Sequence, residues 1–541
     1  MRSPNPLLIR LYNPAWAMNC GILLGLSMPP YGLYPLAWIA LVPLLVRWSL
    51  LKHPMTVFRE AYVAFLLMTI VAGFWMLLHS SMTIGLLSGF GLLLLPLPHA
   101  IAFTLALLVR KRFGLVMGTV ALVVNVLSVE YLMAHGAFAF PWLLLGHTQA
   151  DALMFNQHAD LGGVGLLTLG VLVSNILGML FVRMAYRPGL VPGWRSLIAL
   201  AMVAMLSGIA VYGDERRAGL GDEDQCIRIG LVQPAVRADI WADVTDGSRV
   251  EYLALLSDQL IYNRGGLVVP ASDTGRERLD LLIWPEASLP VFAESDRQAR
   301  LYRRLSIWSR RRQVALLSGA FTNHGGSSSY YNSAMLFEGY EQPQEYAKTH
   351  MVPLAEVIPF LHQSPILDAM TIPPTVDARL AFGSRPNLLR GNRFTAGTTI
   401  GSESLHGDYV RKYVADGADI LVNLAQNGWW GYSPGTVQHL NLTRLRAIET
   451  RRAVVVSTVS GTSGIVYPDG RIERVAGWME EEIAQREIPL RTGQTVYVKH
   501  GDWPGRFSLI PAAGLLLLLG VSAVFYRRPN PKPSSRKRKQ D

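Results

Sequence analysis

TAGTTIGSESLHGDYVRKYVADGADILVNLAQNGWWG, residues 395 to 431, reads as strand, turn, helix and strand. TAGTTI is a short β-branched run that ends at Gly401. A helix is expected to begin near Ser404, and DILVNLAQNG returns to strand character. The same alternation surrounds it. Short apolar runs (CIRIGLVQPAV, LDLLIWPEAS, VALLSGAF, NSAMLF, AVVVSTVSG) exchange with charge-rich helical stretches such as VEYLALLSDQLIYN and DRQARLYRRLSIWSRRR. Strands alternating with helices predict a layered α/β domain, here spanning about 214–506.

On both sides of that block the chain changes character. Apolar runs near 14–31, 36–51, 60–79, 84–109, 114–134, 162–182, 194–213 and 507–526 approach the roughly 20 residues that a helix needs to cross a bilayer. Eight spans are therefore expected, the first of them retained in the mature chain. Basic residues gather on alternate loops: Arg2 and Arg10, Lys52 and Arg59, Arg110 to Arg112, Arg183 to Arg195, and the tail after residue 526. The connections at 32–35, 80–83 and 135–161 hold no Lys or Arg. The positive-inside rule then puts both termini in the cytoplasm and the α/β block outside. The expected division is a seven-helix region over 1–213, an extracytoplasmic domain over 214–506, an eighth helix over 507–526 and a basic cytoplasmic tail over 527–541.

The net charge of +11 in 541 residues does not argue for nucleic acid, because much of it lies in RRPNPKPSSRKRKQD, a stop-transfer flank. A mean hydropathy of +0.25 fits a membrane protein. Cys20 and Cys226, the two cysteines, support neither a disulfide framework nor a metal site, and no His/Cys/Asp cluster has ligand spacing. No cofactor or metal is expected.

Three stretches carry candidate chemistry. LLIWPEASLP (281–290) delivers Glu286 at a strand end, where rigid sheets commonly hold catalytic groups. EYAKTHMVPLAEVIPF (345–360) places Lys348 and Glu356 in an apolar segment without helical regularity, where a lysine would ordinarily snorkel to a surface. At the third, the turn after Ile400, free N–H groups of a helix start would stabilise a thiolate or an oxyanion. In the apolar region His79, His99, Glu130 and His135 are functional candidates by position, with Glu130 near the interface as the plain alternative. Trp75, Phe138, Phe140 and Trp142 read as interfacial anchors.

In order and spacing, LLIWPEASLP, YAKTHMVPLAEVIPF and IGSESLHGDYVRKYVADGADILVNLAQNGWWG resemble the carbon–nitrogen hydrolase (nitrilase) superfamily, an αββα sandwich with a Glu, Lys and Cys set. With PPYGLYPLAWIALVPLL, FPWLLLGHTQ (140–149) and LRAIETRRAVVVSTVSGTSG (445–464), the whole chain resembles the apolipoprotein N-acyltransferases of the bacterial inner membrane. That resemblance implies transfer of a phospholipid acyl chain, by way of a cysteine thioester, to the α-amine of a diacylglyceryl-cysteine apolipoprotein. It implies Glu286 as general base, Lys348 as oxyanion stabiliser, Glu356 and Glu403 as supporting carboxylates, and Trp429 with Trp430 at the substrate. A monomer is expected.

The nucleophile departs from the pattern. Where the family carries Ile-Cys-Tyr-Glu, this chain reads Ile400-Gly401-Ser402-Glu403. Four readings stay open. Ser402 substitutes, although one residue out of place; the acceptor amine attacks the phospholipid directly; water is activated instead; or the chain binds lipid or lipoprotein without turning it over.

Overall fold

Prolines set the lengths of the first apolar helices, because Pro removes a backbone donor and disfavours helix at the residue before it. The computed structural model describes residues 15–185, 193–221, 225–243, 247–262, 278–290, 295–323, 329–339, 342–353, 355–357 and 379–525, so the basic tail lies outside the described residues. Helix α1 (Ala15–Ser27) stops before Pro29, and α2 (Val42–Leu50) follows a 3₁₀ turn at Tyr34–Trp38. Both are shorter than the spans expected at 14–31 and 36–51. Helices α3 (Pro54–Gly73) and α4 (Met82–Leu94) come next, and α4 ends just before Pro96.

Helix α5 (Leu97–Met133) is two helices joined at Gly114, whose φ of 88° breaks the helical path. Asn125 Nδ2 reaches Ala102 O at 3.4 Å and His99 Nε2 meets Glu130 Oε1 at 3.1 Å, so the halves run back along each other as a hairpin. Among the described residues five helical segments are long and apolar enough to cross a membrane: Pro54–Leu78, Met82–Met133, Ala159–Ala185, Gly193–Ala218 and Trp503–Ser522. Helix α6 (Ala159–Ala185) packs inside, whereas α7 (Gly193–Ala218) turns Trp194, Leu197, Leu200 and Val203 outward.

The charged groups Arg47, Glu60 and Glu130, buried in this region, are paired, as an apolar surrounding demands. Arg47 donates to Glu60 at 2.7 Å. Glu130 accepts from the Leu145 N–H at 2.7 Å and from Thr168 Oγ1 at 2.6 Å. Glu130 is therefore buried and tied to three segments, contrary to the expectation that it reaches an interface.

The α/β block holds two sheets. One runs β13 (Glu482–Pro489), β1 (Cys226–Gln233), β2 (Leu281–Ile283), β3 (Ala315–Thr322), β4 (Ser329–Phe337), β5 (Gln344–Ala347), with β6 (Arg379–Leu380) beside β4. The other runs β12 (Ile472–Ala476), β11 (Ser463–Val466), β10 (Val454–Thr458), β9 (Ile420–Ala425), β8 (Thr395–Ile400), β7 (Leu388–Arg390). The period of two decides the layers. Ile227, Ile229 and Leu231 join Leu281, Ile283, Leu317 and Leu336 against the second sheet. Val232, Leu282 and Leu316 face α9 (Ser248–Tyr262) and α10 (Ser295–Arg312), beyond the short α8 (Ala238–Asp243). On the far side stand α11 (Gly407–Ala415) and α12 (Pro434–Thr450).

Helix α12 is also the seam with the apolar helices. Gln438 Oε1 accepts from the indole N–H of Trp75 (3.0 Å) and of Trp142 (2.7 Å), while its Nε2 donates to Pro29 O (2.6 Å) and Ala72 O (3.1 Å). Arg444 pairs with Asp151 at 2.7 Å and Arg451 with Asp160 at 2.8 Å. After α13 (Val496–His500), α14 (Trp503–Phe525) starts four residues ahead of the expected 507. Replacing Gln438 by Leu strands the buried Trp142 indole donor and the Pro29 carbonyl, each unsatisfied group costing about 1–3 kcal/mol, while Trp75 Nε1 keeps Ala72 O at 3.1 Å. The Gln438→Leu protein is expected to lose several degrees of apparent Tm in a detergent thermal scan.

Candidate functional site

Three strand ends converge on one point. Glu286 follows β2, Lys348 follows β5, and Gly401 opens the 3₁₀ turn Gly401–Leu405 directly after β8. Glu286 reaches this point because Gly319 on β3 lets the chain pass. A Cβ there would stand 2.5 Å from Pro285 O and 2.6 Å from the Glu286 Cα. Asn332 Nδ2 on β4 then donates to Glu286 Oε1 at 2.7 Å.

Lys348 is buried, and Glu356, eight residues on, folds back to take its ammonium at 2.6 and 2.8 Å. The Val352 N–H donates to the same carboxylate at 2.8 Å and fixes the loop. The lysine thus does not snorkel to a surface. Burial works against its charge, but Glu356, Glu286 and Glu403 outweigh burial and hold its pKa above that of a free lysine. Burial pushes the Glu286 carboxyl above its usual range, against the pull of Lys348.

Glu403 has a different position. It is fully buried and does not line the cavity. Oε1 accepts from the Thr349 and His350 N–H groups (2.7 and 2.9 Å), Oε2 accepts from the Ile400 N–H (2.9 Å), and Tyr346 donates to both oxygens at 2.8 Å. Glu403 therefore staples the Lys348 segment to the turn at 401. Gly401 has φ of +58°, and its carbonyl accepts from Asn423 Nδ2 at 2.9 Å. Among the described residues other than its chain neighbours, a Cβ built on it would meet within 4 Å only Lys348 Nζ, at 3.4 Å, and Glu286 Oε2, at 3.8 Å. The expected helix near Ser404 is this 3₁₀ turn followed by α11 from Gly407.

These groups form the polar end of a cavity of about 570 Å³. Much of its remaining wall is apolar and comes from the helical region, with Ile84, Leu92, Leu95, Val129, Leu132 and Phe140 among the lining residues. Trp429 and Trp430 join the two ends. Trp429 stacks parallel to His79 at 5.8 Å and accepts from the Ser80 N–H at 2.7 Å, while Trp430 sets its edge on Trp75 at 4.5 Å. Trp75 and Trp142, read from sequence as interfacial anchors, are buried and form the back wall with Gln438, because each indole finds its acceptor inside.

Ser402 also lines the cavity. His99 and Glu130 pair elsewhere, and His135 pairs with Asp408 at 2.9 Å, outside it. Sequence reasoning missed Asn332, Gln438 and Gly319. Their signal is a polar side chain or a glycine inside an otherwise apolar element.

An acid–lysine–acid set on strand ends of a two-sheet α/β sandwich, opening onto apolar helices, defines the class: a membrane-embedded carbon–nitrogen hydrolase. The carbon-nitrogen hydrolase family matches residues 228–497, and the apolipoprotein N-acyltransferase N-terminal domain matches residues 20–177. Similar along nearly their whole length are apolipoprotein N-acyltransferases of Chlorobaculum tepidum (26 % identical, 93 % of this chain and 95 % of that one) and Geobacter metallireducens (27 %, 95 % of each). An amidase of Nesterenkonia aligns over 49 % of this chain and 90 % of its own at 17 % identity, with a TM-score of 0.35. The chain belongs to the apolipoprotein N-acyltransferase family.

Gly319→Ala drives a methyl into the backbone at Pro285 and Glu286 without touching the cavity. If that backbone gives way by an ångström, turnover falls roughly a hundredfold. Acyl-transfer kinetics beside the circular dichroism spectrum, expected to be unchanged, check this.

Proposed function

We propose that this protein transfers an acyl chain from a membrane phospholipid to the N-terminal amine of a diacylglyceryl-cysteine apolipoprotein. The observation that carries the reading is the cavity: an apolar trough walled by helices at one end, with Glu286, Lys348 and Glu356 at the other. A soluble-type amidase has no use for such a trough.

In this reading Glu286 is the general base, and Lys348, oriented by Glu356, stabilises the oxyanion of the tetrahedral intermediate. Glu403 keeps Lys348 and the turn in register. Trp429 and Trp430 hold the lipid at the junction, Gly401 stands where the family carries its cysteine, and Ser402 flanks it. The basic loops support eight crossings of the inner membrane, with both termini cytoplasmic and the α/β domain over about 214–506 outside. We take the acting unit to be a monomer.

The test is a mass assay in phospholipid–detergent micelles with a synthetic diacylglyceryl-cysteine peptide, which is expected to gain one acyl chain. The reading fails if the peptide is unchanged whatever phospholipid is supplied. Glu286→Gln is expected to lower kcat/KM by about a hundredfold or more. A base must be deprotonated, and the Glu286 pKa is raised. Activity is therefore lost on acidification at a pH above the ordinary glutamate value of about 4.3. A kcat/KM profile against pH checks the position of that limb and its disappearance in Glu286→Gln.

A further inference from the structure

Among the residues lining the cavity there is no thiol. Cys20 is buried in α1, and Cys226 opens β1 away from the site. Among the described residues that line the cavity, the aliphatic hydroxyls are those of Ser88 and Ser402. Ser88 belongs to α4 in the helical wall, and among the described residues Ser402 makes no hydrogen bond to Glu286, Lys348 or any histidine. A serine becomes a nucleophile only when a base lies within hydrogen-bond reach of its oxygen. What the site offers is space. Among the described residues, and apart from its own chain neighbours, a Cβ at 401 would meet within 4 Å Lys348 Nζ and Glu286 Oε2.

We propose that this space seats the acceptor's primary amine, and that the acyl group passes in one step from phospholipid ester to amine without an acyl-enzyme. This inference rests on the acyl-transfer reading above. The neutral amine places its nitrogen beside the Gly401 Cα, where only glycine leaves the room. Its lone pair attacks the ester carbonyl carbon, the C–N bond forms, and the carbonyl oxygen becomes an oxyanion facing Lys348. An ammonium has three donors, and Glu356 engages two, which leaves one for that oxygen. Glu286 Oε2 takes the proton from the attacking nitrogen. Collapse breaks the ester C–O bond, and Glu286 returns the proton to the departing lysophospholipid alkoxide. The products are an amide and a lysophospholipid, with no proton or electron left over.

The route leaves a kinetic signature, because both lipids must be bound together. Initial rates of the unmodified full-length protein, with phospholipid and lipopeptide varied independently in micelles, are expected to give intersecting double-reciprocal lines. Phospholipid alone is expected to yield neither an acyl adduct on the intact protein nor lysophospholipid. Ser402→Ala is expected to keep activity within about tenfold, whereas removing a true nucleophile costs at least about a thousandfold. Gly401→Cys is expected to gain a mass adduct of one acyl chain and to release lysophospholipid without acceptor. Parallel lines, an adduct on the unmodified protein, acceptor-free release of fatty acid, or a Ser402→Ala loss beyond a thousandfold would overturn the one-step route. Acylation by Gly401→Cys but not by the unmodified chain also overturns it and leaves the acyl-transfer scaffold standing. Acylation by neither overturns the function itself.

Discussion

Gln438 is the residue through which the two halves of the molecule become one. Its oxygen accepts from two tryptophans and its nitrogen donates to two backbone carbonyls, all in the helical half, while its own helix α12 packs against the second sheet. An amide has a limited number of donors and acceptors, and here both kinds are committed across the seam. That commitment fixes Trp75 and Trp142 as the back wall of the cavity and brings Trp430 against them. Arg444 with Asp151, Arg451 with Asp160 and the Ser80 N–H on Trp429 O hold the same seam, and Gln438 is its link at the back of the cavity.

The polar end depends on a second constraint, the burial of Lys348. A buried ammonium without partners would lose its proton or unfold its surroundings. Glu356 compensates from the same loop, Glu286 from the end of β2, and Glu403 from the turn after β8. The lysine is thus charged at the head of a cavity whose other walls are mostly apolar, where an oxyanion gains most from it. Glu403 does this without touching the cavity, by holding the Thr349, His350 and Ile400 N–H groups together.

Much of this is written plainly in the chain. The strands ILVNLA and VVVST are legible because buried parallel strands are apolar throughout, and Glu286 announces itself by following such a strand. Lys348 is legible as chemistry only beside the family pattern, since spacing cannot reveal that Glu356 folds back onto it. Trp75 and Trp142 misread as interfacial anchors for a similar reason. An indole beside an apolar run looks the same whether its N–H meets water or a glutamine more than 290 residues away. The basic run Arg110–Arg112 marks the α5 reversal, but the turn falls at Gly114, the residue able to take a φ of 88°.

The central claim is that lipid enters the α/β domain's site from among the helices. Photo-crosslinking tests it directly: a phospholipid with a diazirine near the carbonyl end of its acyl chain, irradiated with the protein in bilayer nanodiscs, followed by peptide mapping. The account predicts labels at Trp75, Phe140, Trp429 and Trp430, with competition by unlabelled phospholipid. Labels confined to the outward face of α7, at Trp194, Leu197 and Leu200, would contradict it.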